Sequence, residues 1–218
     1  MEITRRNMLI ASAAATILPA VAQAARAPRE LPKFRNEDFY KDGKFDPGVA
    51  KEAYYQLMRF HTYPIVDRLK TEDFWALDFG LGNFLEAGMA GIFWVNNKEH
   101  NYFGHEIYLL PGQAIPEHQH VATDVPLKME GWQARYGMIY LFGEGTPSTE
   151  FAEPLPPMHK DCGKTKCVGI LKPGQVAGLT KPEEWHFMKA GPEGAIVTEY
   201  ATYHDGKGLR FSHPKVAL

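Results

Sequence analysis

The chain has 218 residues, 44% of them hydrophobic and 23% charged, which suits one sizeable core and excludes both a disordered chain and a string of several domains. With 24 Lys and Arg against 26 Asp and Glu, the formal net charge is −2, so there is no basic footprint for nucleic acid. The 20 glycines, 16 prolines and 12% aromatic residues favour short strands joined by tight turns over a helix bundle.

Residues 1–24 read as an address. Thr4-Arg5-Arg6-Asn7-Met8-Leu9 sets an arginine pair before a mild apolar run that reaches Val21, and Ala22-Gln23-Ala24 supplies an A-x-A cleavage site. The run is too short and too alanine-rich for a membrane span. The pair and its flanks resemble a twin-arginine export signal, with an ordinary secretory signal as the alternative. The expectation is a periplasmic protein that is free of the membrane once cleaved. Export in the folded state lets the cytoplasm load a chosen metal, whereas raw affinity in an open compartment favours copper or zinc.

Residues 25–45 look extended, an arm lying on the surface or on a partner. Asp46-Pro47 starts a helix, with Asp as the cap and Pro in the first turn. Val49, Ala53, Leu57 and Phe60 then recur at helical spacing, which predicts an amphipathic helix over 47–61. A second short helix is expected over 65–70. From Phe74 the texture turns to short aromatic and β-branched segments. Strands are expected over 75–78, 84–95, 105–110, 135–142, 166–171, 186–189 and 194–203. Turn signals between them include Pro111-Gly112, Lys172-Pro173-Gly174 and Gly191-Pro192. This pattern implies a mainly β sandwich or small barrel over 74–218, preceded by the arm and helices of 25–73. The arm and helix hint at a homodimer, since partners or arms commonly cover barrel edges.

Cys162 and Cys167, in DCGKTKC, form a disulfide in an oxidising compartment or stay as free thiols. Zinc ranks third, because His159 would complete only three ligands.

The chemistry concentrates in Leu110-Pro111-Gly112-Gln113-Ala114-Ile115-Pro116-Glu117-His118-Gln119-His120. Residues i and i+2 of a strand share a face, so His118 and His120 project together, as two imidazoles on one metal must. Asp124 or Glu130 follows as an acidic ligand, and His186 sits in Pro182-Glu183-Glu184-Trp185-His186. Two motifs in this order resemble the two-part cupin signature, which implies a double-stranded β-helix, or jelly-roll-like barrel. Three imidazoles and one carboxylate suit manganese, iron or zinc and leave positions open for substrate. Generic cupin spacing points to Asp124 as the carboxylate.

A longer resemblance points to Glu130. LLPGQ-x-x-PEH-x-H, then Lys128-x-Glu130, then the aromatic stretch Tyr136 to Phe142 is similar to the D-lyxose isomerase family of cupins. The likeness runs on through Asp78-Phe79-Gly80-Leu81-Gly82-Asn83-Phe84, Trp185-His186-Phe187 and Ala190 to Tyr200, and covers most of residues 74–214. It implies an aldose–ketose isomerase acting on D-lyxose, D-mannose or a related aldose, using a divalent metal, typically manganese, at His118, His120, Glu130 and His186. Such a reaction moves a proton between adjacent carbons through an enediol and needs a Lewis acid and proton-moving groups. Lys128 shares a face with Glu130 and can stabilise the enediolate; a nearby metal would depress its pKa.

Glu199 interrupts an apolar stripe with Val197 and Ala201. It reads either as the general base or as an ion-pair partner of Arg135 or Lys128. Arg135 either binds a substrate hydroxyl or faces solvent. Trp185 either walls the site or packs in the core. His105 and Glu106 lie one strand ahead of the metal motif; one of them faces the site if that strand pairs beside the metal strand, and surface exposure is the default. The chain departs from the family in the Gly-free loop 121–127, at His213, where relatives often carry Asp, and at Ala190, where the generic cupin has Asn. An iron-dependent cupin oxygenase and a non-catalytic periplasmic carbohydrate-binding cupin are the competing readings on the same residues.

Overall fold

The computed structural model describes residues 30–218. The export signal and cleavage site expected over 1–24 lie outside these residues. A 3-10 turn, Asn36–Phe39, leads into a small hairpin of β1 (Tyr40–Lys41) and β2 (Lys44–Phe45), then α1 (Pro47–Phe60). Asp46 caps α1 by accepting from the backbone N–H of Gly48 and Val49 at 2.9 and 3.2 Å, and Pro47 costs no hydrogen bond at the first position. The helix expected over 65–70 is instead a 3-10 turn at Asp67–Lys70.

The remaining strands are β3 (Phe74–Leu77), β4 (Met89–Asn97), β5 (Tyr102–Leu109), β6 (His118–His120), β7 (Glu130–Gly143), β8 (Cys167–Leu171), β9 (Val176–Gly178), β10 (Phe187–Ala201) and β11 (Leu209–Phe211). One seven-stranded antiparallel sheet runs β3-β4-β5-β10-β7-β8, with β9 also paired to β7. A second small sheet pairs β6 with β11. It reaches the N-terminal end of β10 through an antiparallel bridge between His118 and His186.

No closed barrel forms among the described residues, in contrast to the barrel expected. β3 and β8 each have one sheet neighbour, and β6 is three residues long. The approach to β6 carries Pro111 and Pro116, which donate no backbone hydrogen bond, and it touches its neighbours only through isolated bridges. No helix among the described residues is long and apolar enough to cross a membrane.

Two strands depart from the sequence expectation for local reasons. Residues 84–86 form a turn, Ala87 makes only an isolated bridge to Ala114, and β4 starts at Met89. The two strands expected over 186–189 and 194–203 are one, β10, with a register shift between Ala190 and Ala195. Gly137 and Gly194, both at positive φ (+65° and +68°), meet across this irregularity. A side chain at Gly137 would collide with the Gly194 carbonyl.

The main sheet has two unlike faces, as strand alternation requires. One face packs Phe74, Ile92, Tyr108 and Ile196 against Ala53, Tyr54, Leu57 and Met58 of α1. Phe39 and Phe84 join this core, so the arm from residue 30 onward rests on its own chain. On this side Glu106 is buried but satisfied by Tyr63 Oη at 3.1 Å, Trp94 Nε1 at 3.1 Å and Thr198 Oγ1 at 2.7 Å. The opposite face presents Trp75, Leu77, Met89, Ile107, Trp132 and Val197. It holds the chemistry.

Candidate metal centre and active site

His118 and His120 stand on β6, Glu130 opens β7, and His186 immediately precedes β10. Reciprocal backbone bonds, His118 N–H to His186 O at 3.0 Å and His186 N–H to His118 O at 2.9 Å, hold the two motifs in register. One potential ligand atom from each of the four residues lies within 4.8 Å of the other three. His186 Nε2 is 2.8 Å from one Glu130 oxygen, and His120 Nε2 is 3.1 Å from the other. His118 Nδ1 donates to Pro116 O at 3.0 Å and His186 Nδ1 to Glu184 O at 2.8 Å, which turns both Nε2 lone pairs inward. His186 Nε2, both nitrogens of His120 and Glu130 Oε2 are buried without a hydrogen-bond partner. Orphaned polar atoms at this depth are costly. A divalent cation that accepts imidazole and carboxylate donors fits them. Asp124, the other carboxylate considered, is exposed in the loop after β6 and is not one of the four.

Lys128 enters beside this cluster. Its ammonium donates to Glu130 Oε1 and, at 2.7 Å, to Glu199 Oε1. Glu199 Oε2 accepts from His105 Nδ1 at 3.1 Å, across the β5–β10 pairing that sets His105 opposite Glu199. The result is a buried chain His105–Glu199–Lys128–Glu130 that ends in the ligand set.

Electrostatics follow from these contacts. Burial pushes the Glu130 carboxyl up, but Lys128, His120 and His186 outweigh it and hold it well below the usual carboxylate range. Burial also raises Glu199, and Lys128 with His105 reverses this to a net lowering. Burial lowers Lys128, yet Glu130 and Glu199 together keep it above the ordinary lysine value; a metal's positive charge would work against them. Burial and the neighbouring His186 and His120 press His118 well below the usual imidazole range.

These groups line a cavity of 310 Å³ whose other walls are largely aromatic and aliphatic, including Trp75, Phe93, Trp132 and Phe211. Such a cavity suits a small ligand held by a few polar groups at one end.

No protein-family model matches the chain. The D-lyxose/D-mannose isomerase of Thermosediminibacter oceani is 33% identical over 168 residues, covering 76% of this chain and 90% of that protein. The chain belongs to the D-lyxose isomerase family. The D-lyxose ketol-isomerase of Cohnella laeviribosi is 34% identical over 141 residues, covering 64% of this chain and 75% of that one. Among solved structures, the L-ribose isomerase of Cellulomonas parahominis superposes with a TM-score of 0.61 at 15% identity, covering 78% of this chain and 92% of its own. That of Acinetobacter sp. DL28 gives 0.58 at 16%, covering 77% and 91%. These structural likenesses show a shared fold. Family membership and the His/His/Glu/His cluster together make this isomerase a metal-dependent enzyme acting on a small sugar.

Within the isomerase, the structure brings His118, His120, Glu130, His186, Lys128 and Glu199 to one cavity. It does not bring Arg135 there. The Arg135 side chain is exposed and donates to Gln133 Oε1 at 3.3 Å, because residue 135 falls one position after Ala134 on the cavity face. Of the two ion pairs considered for Glu199, the structure forms the one with Lys128. Trp185 is half-buried and does not line the cavity, while Trp132 lies against His186 with ring centroids 5.1 Å apart.

Two cavity residues are not fixed by the sequence: His105, which it leaves between site and surface, and His204, which carries no local signal. Strand alternation with Ile107 was the available signal for His105. Cys162 and Cys167 are free thiols that donate to different carbonyls, Met158 O and Gly143 O, both at 3.3 Å. His159 joins no ligand cluster among the described residues; its Nε2 accepts the Glu117 N–H at 2.8 Å.

Proposed function

We propose that the enzyme interconverts D-lyxose, or the closely related D-mannose, with the matching 2-ketose. The observation that carries this reading is Glu199, a buried carboxylate gripped by His105 and Lys128 at the edge of a ligand cluster. His118, His120, Glu130 and His186 would hold a divalent ion, manganese in first place, with iron and zinc as alternatives. Such an ion supplies a Lewis acid that polarises the sugar carbonyl and its neighbouring hydroxyl.

The protein's own groups do the rest. Glu199 takes the proton from C2 of the open-chain aldose and returns it to C1, while Lys128 gives a proton to O1 and takes the one from the O2 hydroxyl. His105 fixes the carboxylate's orientation from behind. The Lys128 ammonium sits where negative charge grows on the enediolate oxygen, and donates a hydrogen bond to it. The apolar walls exclude water, so the transferred proton is retained on the base between the two steps.

Residues 74–218 are then a cupin, a double-stranded β-helix whose main sheet is β3-β4-β5-β10-β7-β8 and whose second sheet begins with β6 and β11. The arginine pair and the Ala22-Gln23-Ala24 site support export by the twin-arginine route to the periplasm, with a mature chain from Ala25.

The test is incubation of the manganese-loaded protein with D-lyxose and D-mannose in deuterated water, followed by proton NMR. The expected result is appearance of the ketose, with any deuterium confined to the carbon next to the carbonyl. No ketose from either sugar at full metal occupancy would overturn the substrate assignment.

A further inference from the structure

We infer that the His204 imidazole is a substrate contact, hydrogen-bonding a sugar hydroxyl beyond the two reacting carbons and so deciding which sugars the site accepts. The inference rests on the isomerase reading for its choice of ligand. Its observations are separate.

His204 follows β10, lines the same cavity as the ligand cluster, and belongs to none of the pairs described above. Other buried polar groups around the cavity have work to do. His105 holds Glu199, and Lys128 bridges two carboxylates. The His204 Nδ1 is buried and has no hydrogen-bond partner. Nδ1 is closed to water, so the contact falls to the other ring nitrogen, Nε2, which forms no hydrogen bond either and is free to take a ligand hydroxyl, donor and acceptor at once.

The ring is also held ready. Asn96 clamps the His204 backbone from both sides, accepting its N–H and donating to its carbonyl, each at 3.0 Å. Phe103 stacks on the imidazole with centroids 5.4 Å and planes 22° apart, and Phe93 packs at 5.4 Å. Such a side chain pays little ordering entropy when it binds. Its position fixes the part of the sugar it meets. Lys128 Nζ lies 4.9 Å from the Phe103 ring that His204 stacks on, and His120 is edge-on to His204 at 5.8 Å. With C1 and C2 between the ligand cluster and Glu199, His204 is left for a hydroxyl farther along the chain.

The experiment compares wild type, His204→Phe and His204→Gln on D-lyxose and on its 3-deoxy, 4-deoxy and 5-deoxy counterparts. It adds calorimetric titration of each protein with D-arabinitol, the unreactive reduced form of D-lyxose. His204→Phe is expected to lower kcat/KM for D-lyxose by about 10- to 100-fold, chiefly through KM. For the one deoxy sugar that lacks the contacted hydroxyl, wild type and variant should converge. His204→Gln, which keeps a donor and an acceptor, should recover part of the loss. D-Arabinitol affinity should fall at least several-fold in His204→Phe. Equal losses on every sugar would show a packing role and overturn the inference. So would unchanged D-lyxose kinetics, or a D-arabinitol affinity the variant does not alter. Wild type that binds D-arabinitol through His204 but turns over no sugar would instead overturn the reaction reading alone.

Discussion

Glu199 shares its strand face with Ala195 and Val197, so its charge sits where burial disfavours it, and only Lys128 and His105 make it tolerable. Glu199→Gln keeps the size and a hydrogen-bonding oxygen but cannot accept a proton. kcat for isomerisation is therefore expected to fall by about 10²- to 10⁴-fold while bound metal stays at wild-type level; full activity would remove Glu199 from the reaction. Lys128→Met tests the other half of the pair. It leaves Glu130 and Glu199 facing each other in a site where both side chains are 6% exposed or less. Breaking a buried pair in this way costs about 3–5 kcal/mol. Urea unfolding should show a loss of that order in metal-free protein, and a loss below about 1 kcal/mol would mean that the two carboxylates relax apart. At this scale period-2 spacing made His118-x-His120 legible, whereas spacing alone pointed to Asp124 and only the family resemblance singled out Lys128 and Glu130. The sequence was silent on His204, because nothing local to residues 202–205 reveals that a loop after β10 turns back over the cavity.

Elements show the same division. α1 was legible because a capping Asp, a first-turn Pro and four apolar residues at helical spacing agree with one another. The bulge in β10 was not, since Gly191-Pro192-Glu193-Gly194 has the composition of a turn and only the pairing of Ala190 with Ile139 and of Ala195 with Gly137 shows that the strand continues. β7 was expected to start at 135, but it starts at Glu130, where pairing with Ala201 draws the ligand carboxylate into the sheet. β4 adds a constraint invisible in sequence. Gly91 passes directly beneath His105, and a methyl group there would run into His105 Nε2 and come within 2.7 Å of the Trp75 ring. Neither neighbour is a flexible chain end. Gly91→Ala should therefore push His105 off Glu199, lowering kcat well before it affects KM, and cost about 1–3 kcal/mol of stability by overpacking. Wild-type kcat with lowered stability would show that His105 can shift without disturbing the base.

Over the whole molecule, the main sheet separates two tasks: α1 and the arm fill one face with apolar packing, and the other face carries the cavity. A mainly β architecture followed from turn spacing and composition. Whether the strands close a barrel did not, because closure depends on backbone pairing between segments far apart in sequence, and here β6 reaches β10 through one bridge at the two ligand histidines. This placement gives the metal a structural consequence. A bound ion would join β6, the start of β7 and the residue before β10 through side chains, in addition to the backbone bonds between His118 and His186. Protein with manganese at 100-fold above its dissociation constant should gain about 2.7 kcal/mol over metal-stripped protein. For a chain of this size that corresponds to a rise in Tm of about 5–11 °C. His118→Ala should lose most of the rise while retaining the fold, since His118 holds its strand partners through backbone groups that alanine preserves. Equal Tm values for stripped and loaded wild type, measured by calorimetry, would show that the four residues do not hold the ion in the folded chain.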